Sequence, residues 1–146
     1  MLAVYVSHPY GGKEENKEAA AALTQKLQLD YENADVAFYS PIHAIHTGGY
    51  NGVDYETGLA LALELMLRCD VLLLASSWRE SLGCHVEFLA AQKLQMPVVT
   101  GRKGLEDVIR MGPNFKVITP ERHRISTPAS VKNLIKEVQE TWDGPT

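Results

Sequence analysis

Short apolar runs separated by crossovers of helix length are the feature that most restricts this chain. Leu2 to Val6, Val36 to Tyr39, Asp70 to Ala75, Pro97 to Thr100 and Phe115 to Thr119 each read as a strand. Asp70-Val71-Leu72-Leu73-Leu74-Ala75 has no polar alternation, the pattern of a strand buried on both faces. Between the strands, Glu14 to about Leu29 sets Ala20, Leu23 and Leu27 at helical spacing, and Asp54 to Arg68 and Gly83 to about Gln95 are also helical. Further on, Leu105 to Arg110 reads as a helix, and Ser130 to Thr141 as a closing helix capped near Thr127-Pro128. Strands joined in this way run parallel, with right-handed connections and helices on both faces. The expectation is an α/β fold: a three-layer, doubly wound, five-stranded parallel sheet of the flavodoxin or Rossmann type, in the order 2-1-3-4-5. A length of 146 residues suits one core, so residues 1–146 are read as a single domain.

Charge and cysteine content narrow the function classes. Lys and Arg number 14 against 18 Asp and Glu, with no basic cluster, which speaks against a nucleic-acid polymer or an anionic membrane as partner and for a small molecule. Cys69 and Cys84 are the only cysteines and form no Cys-x-x-Cys pair, as in a reduced intracellular protein. Met1 to Val6 carries no secretory pattern, and no apolar run approaches the roughly 20 residues that span a bilayer, so a cytoplasmic location is expected. Neither a Gly-x-x-x-x-Gly-Lys-Ser/Thr loop nor a Gly-x-Gly-x-x-Gly after the first strand is present, and no cofactor is expected.

In open α/β sheets ligands bind beyond the carboxyl ends of the strands. The loops after strands one, two and three therefore bring Ser7, His8, His43, His46, Trp78, Ser81 and Glu87 to one edge. Glu87 is the leading candidate, expected in the first turn of its helix, where the macrodipole would keep a carboxylate ionised. Ser81 reads as an N-cap or, with the backbone N–H groups of Gly83 and Cys84, as an anion site. Trp78 either stacks on a base or covers the sheet end. Cys84, at a helix start beside His85, offers a thiolate alternative, although adjacent helical residues point in different directions. His43-x-x-His46 invites a metal reading, but it sits in a long loop without a His-Glu-x-x-His helix, and no metal is expected.

Tyr5-Val6-Ser7-His8-Pro9, Cys69-Asp70 and the Trp-x-x-Ser-x-Gly-x-x-x-Glu segment from Trp78 to Glu87 resemble the nucleoside 2-deoxyribosyltransferase superfamily, in a small bacterial and phage branch. Ser81-Leu82-Gly83-Cys84-His85-Val86-Glu87 is also similar to the Ser-Leu-Gly-x-x-x-Glu segment of deoxynucleoside 5′-monophosphate N-glycosidases within that superfamily. The likeness fades after Thr100. It implies cleavage or transfer of the N-glycosidic bond of a nucleoside or nucleotide, with Glu87 as nucleophile and a glycosyl-enzyme intermediate. It further implies Tyr5, Ser7, Tyr10, Gly11, Trp78, Ser81, Gly83 and Cys84 as residues that bind the substrate. His8 stands where the monophosphate hydrolases carry a phosphate-binding serine, and Tyr10 where they carry an arginine. His43 lies near a histidine that protonates the leaving base or binds phosphate. The superfamily's second acid has no direct counterpart, because counting back from Asp70 reaches Ala62. Asp54 or Glu56 would serve in a shifted helix, and Glu64 would pair with Arg68. The resemblance implies a homodimer or homotetramer, and the apolar girth of Leu59 to Leu67 agrees with it. The alternative is a noncatalytic nucleotide sensor that keeps the pocket.

Overall fold

The pleat of the first strand sorts its side chains onto two layers. In the computed structural model, which describes residues 1–44, 54–112, 125–142 and 144, β1 (Leu2–Ser7) is followed by α1 (Glu14–Asp30), β2 (Val36–Tyr39), α2 (Pro41–Ala44) and α3 (Tyr55–Leu67). Then come β3 (Val71–Leu74), a 3-10 turn at Trp78–Glu80, α4 (Leu82–Lys93), β4 (Val98–Val99), α5 (Arg102–Met111) and α6 (Pro128–Thr141). The described sheet has four strands, all parallel, in the order β2-β1-β3-β4. This is the expected α/β architecture with four strands rather than five. The expected strand at Phe115–Thr119 lies outside the described residues.

Leu2, Val4 and Val6 face Leu27 of α1 and Leu105 of α5, together with Val71 and Leu73 of β3. Tyr5 faces the opposite way, into a cluster with Leu59 and Leu63 of α3, Val86 and Ala90 of α4, and Val131 and Leu134 of α6. Each buried Leu or Val side chain contributes roughly 1.5–3 kcal/mol, which makes the two clusters the main source of stability. At the head of β1 and β3, Asp70 makes two bonds to one residue. Its backbone N–H donates to the Ala3 carbonyl at 2.7 Å and its carboxylate accepts from the Ala3 N–H at 2.8 Å.

Polar side chains set the helix starts. Asp54 caps α3 by accepting from the Thr57 N–H at 2.8 Å. Ser81 caps α4 from Cys84 at 3.2 Å, and Thr127 caps α6 from Ser130 at 3.1 Å with Pro128 at the first helical position. The turn out of β1 uses Gly11 and Gly12 at φ +59° and +74°, closed by the Lys13 N–H on the Tyr10 carbonyl at 3.1 Å. Two successive positive φ values in a four-residue turn favour glycine at both positions. The segment after β2, expected as loop, begins with the short helix α2. Among the described residues no helix is long and apolar enough to cross a membrane. α6 packs on both α3 and α4, and beyond it Trp142 stacks on His85 at 4.3 Å, which in turn lies 4.8 Å from Trp78.

The outer edge of β2 is closed by a side chain. Gln28 of α1 donates to the Val36 carbonyl at 3.1 Å and accepts from the Phe38 N–H at 3.0 Å, so one amide takes the place of a neighbouring strand's peptide. An open edge is a template for pairing between molecules. Gln28→Ala is expected to cost about 1–2 kcal/mol in urea unfolding. The same variant should self-associate more readily on heating, read by light scattering; unchanged stability and scattering would deny Gln28 this role.

Candidate active site

The outer end of β1 meets α4 at a buried carboxylate. Tyr5 and Ser7 share one face of the pleat, and both hydroxyls point at Glu87. The Tyr5 hydroxyl donates to Glu87 Oε2, and Ser7 Oγ donates to Oε1 at 2.7 Å. Glu87 is only 5 % exposed. Burial pushes its carboxyl up to about 7, while the bonds from Tyr5 and Ser7 pull in the opposite direction without overcoming it. This corrects the expectation of a first-turn carboxylate kept ionised by the helix. Because Ser81 caps α4 and the helix starts at Leu82, Glu87 falls in the second turn, where the macrodipole has faded and desolvation governs.

Above Glu87 opens a cavity of about 230 Å³. His8, Tyr10, Gly11 and Gly12 line it from the β1 loop, and Pro41 and Ile42 from α2. Tyr55 and Leu59 of α3, and Ser81, Gly83 and Cys84 at the start of α4, complete the wall. His8 Nδ1 lies 2.8 Å from the Pro9 carbonyl, which can only accept, so Nδ1 donates in this bond and Nε2 is the ring nitrogen outside it. The Tyr55 ring is partly exposed, but its hydroxyl end reaches over Gly83, and burial there pushes the phenol up to about 12. Burial, and then the Glu87 charge, likewise push the Cys84 thiol up to about 12, which argues against a reactive thiolate at neutral pH. Ser81 is engaged as the cap and takes the Cys84 N–H, so of the two amides expected to hold an anion, that of Cys84 is already satisfied.

The cavity thus gathers Glu87, His8, Tyr10, Gly11, Ser81, Gly83 and Cys84, with Tyr5 and Ser7 behind Glu87. Other candidates lie elsewhere. His43 is exposed on α2, its Nδ1 3.0 Å from Ser40 Oγ, beside the lining residues but not among them. Asp54 is exposed as the α3 cap, and the Thr57 amide holds its carboxyl below the usual range. Glu56, in the first turn of α3, is not a lining residue either. Trp78 turns into the core, with its ring 5.1 Å from Phe88. Ala62 is fully buried, and Glu64 bonds Arg68 at 2.8 Å and Ser126 at 2.7 Å. His46 lies outside the described residues. The sequence reading missed Gly12, Pro41, Ile42, Tyr55 and Leu59. For Tyr55 the available signal was an aromatic next to an Asp cap at the end of a long loop.

A family model described as a domain of unknown function, DUF4406, matches residues 2–100, and the chain belongs to that family. No curated protein and no solved structure matches it. The matched segment contains β1 to β4 and every residue that lines the cavity.

The raised Glu87 value fixes the sign of a stability change. Between about pH 4.5 and 7 the folded protein holds a proton that the unfolded chain has released, so stability falls as pH rises through that window. Glu87→Gln, which stays neutral, should be more stable than the parent at pH 8 by on the order of 3 kcal/mol, with the gap closing towards pH 4.5. Denaturant melts at a series of pH values check this; a gap that widens on acidification would reverse the assignment.

Proposed function

We propose that this DUF4406 protein cleaves or exchanges the N-glycosidic bond of a nucleoside or nucleotide through Glu87. The observation that carries the reading is a carboxylate buried at the base of a cavity of about 230 Å³ and held from behind by two hydroxyls. A carboxylate kept there against its desolvation is poised for chemistry that water would blunt.

In the proposed step an ionised Glu87 oxygen bonds to the anomeric carbon while the C–N bond breaks and its electron pair passes to the base. Protonated His8, the only imidazole among the described lining residues, supplies the proton the base needs. Water then adds to the anomeric carbon and returns its proton to His8, freeing Glu87; a second base in place of water gives exchange. Tyr5 and Ser7 hold the carboxylate in line and take up its negative charge when it departs.

Because the nucleophile must be ionised, the rate of base release should rise about tenfold per pH unit as pH increases towards 7. A panel of nucleosides, nucleotides and NAD-like compounds, assayed for released base by chromatography, tests the reaction. Glu87→Ala should reduce release at least ~10³-fold, and release that survives unchanged sinks the nucleophile. A second reading, a noncatalytic sensor, is favoured by one observation: among the described residues Glu87 is the only acid lining the cavity. Ligand-induced rises in melting temperature, with no release from wild type, would select it.

The proposed assembly is a homodimer or homotetramer that covers the outer side of α3, where Leu61 is 40 % exposed. Light scattering should then give a multiple of the 16.2 kDa chain mass, and Leu61→Glu should lower it.

A further inference from the structure

A second cavity, of about 320 Å³, opens in the α1 and α5 layer, on the face of the sheet opposite to Glu87. Leu23 and Leu27 of α1, Leu105 of α5, and Leu73 and Ala75 at the end of β3 give it an apolar lining. Ser76 and Thr100, both exposed, add hydroxyls to it. An apolar lining with a few polar groups is the usual make-up of a small-molecule site.

The two cavities adjoin where the sheet reverses its winding. α1 leaves β1 towards one face and α4 leaves β3 towards the other, and open α/β sheets bind ligands in the crevice between two such strand ends. At that point the Ala75 N–H donates to the Ser7 carbonyl at 2.9 Å. Ser7 also holds Glu87, and Ala75 lines the second cavity, so one backbone hydrogen bond joins the two sites. His8, the next residue along, lines both cavities.

The lining restricts what can bind. The Arg102 guanidinium is turned onto α1, where it donates to Asp30 at 2.6 Å and lies 5.8 Å from the centre of the Tyr31 ring, so a carboxylate already matches its charge. An ionised ligand would leave water for leucine side chains and find that cation engaged. A flat, uncharged ring suits the space better: its faces cover the leucines and its edge meets the hydroxyls of Ser76 and Thr100, which donate to a ring nitrogen or accept from an N–H.

We propose that the second cavity binds an uncharged heteroaromatic base, set across His8 from the Glu87 cavity. The site stands on its own lining. The choice of a base as its occupant rests on the N-glycosidic reading above, in which bases are products and, in exchange, reactants. A base held there shares His8 with the Glu87 cavity and so lies beside the group that supplies the leaving base with its proton.

Adenine, hypoxanthine, cytosine and thymine, all uncharged at pH 7, are each titrated into the isotope-labelled 146-residue chain. Backbone amide NMR shifts then locate a bound base without any turnover. At least one base is expected to move the signals of Ser76, Gly101 and His8 most. Leu23→Trp, which fills the cavity from a half-buried position on α1, should weaken that base about tenfold or more. Thr100→Trp, at an exposed position, takes its place if the first variant does not fold. Shifts confined to Gly11, Gly12 and Gly83, in the Glu87 cavity, overturn the proposal. So does silence with all four bases, or unchanged affinity in the folded variant. A base seated at Ser76 and Gly101, with none released from nucleosides by wild type, keeps the site and removes the Glu87 chemistry; release without such seating does the reverse.

Discussion

The two-residue period of β1 is the constraint on which the site depends. It sends Val4 and Val6 into the layer of α1 and α5 while it presents Tyr5 and Ser7 to α4. A slip of one residue would exchange the sets. Glu87 would then be buried against two valines with nothing to donate to it, and two hydroxyls would be stranded beside Leu27 and Leu105. The pair of hydrogen bonds between Asp70 and Ala3 pins the register of β1 against β3, so a polar residue at the far end of these strands helps to decide which side chains meet Glu87. Asp70 reads as a family signature in the sequence; in the fold it is a register clamp.

Glu87 runs against what the fold alone would select. An apolar or amide side chain at that position would avoid taking a carboxylate out of water, and the hydroxyls of Tyr5 and Ser7 offset only part of the desolvation. Its proton equilibrium therefore lies close to neutrality, where a small environmental change switches it between a donor and an anion. The wall above it is mixed in the manner of a ligand site: apolar at Pro41, Ile42 and Leu59, with hydroxyls from Tyr55 and Ser81.

Much of this was legible in the sequence because it follows from period and capping. Strand β2 lies where its β-branched and aromatic residues predict, and α3 is bounded by Asp54 and Arg68 as expected, since a cap and an i,i+4 pair are local chemistry. The convergence of Tyr5, Ser7 and Glu87 follows from strand pleating and parallel topology. Side-chain direction was harder to read. Trp78 has the composition of a stacking platform, yet the 3-10 turn aims its ring at Phe88 and His85. That turn and the Ser81 cap also set the start of α4, and with it the turn on which Glu87 falls. Tyr55, Pro41 and Ile42 reach the cavity only through the packing of α2 and α3 over the sheet edge, a long-range outcome with no local periodicity to announce it.

The helix α6 gives the family assignment a structural corollary. Residues 2–100 define the match, but Val131, Leu134 and Val138 of α6 complete the apolar layer over α3 and α4 that also contains Tyr5. The family's defining segment is thus a fold with one open side. In this chain the cover comes from its own later residues, and Trp142 anchors it against His85. A relative whose sequence diverges after β4 faces the same exposed stripe and must close it by another helix, an added domain or a neighbouring subunit. Divergence after β4 would then leave the residues that line the cavity alone and alter only what covers the apolar layer.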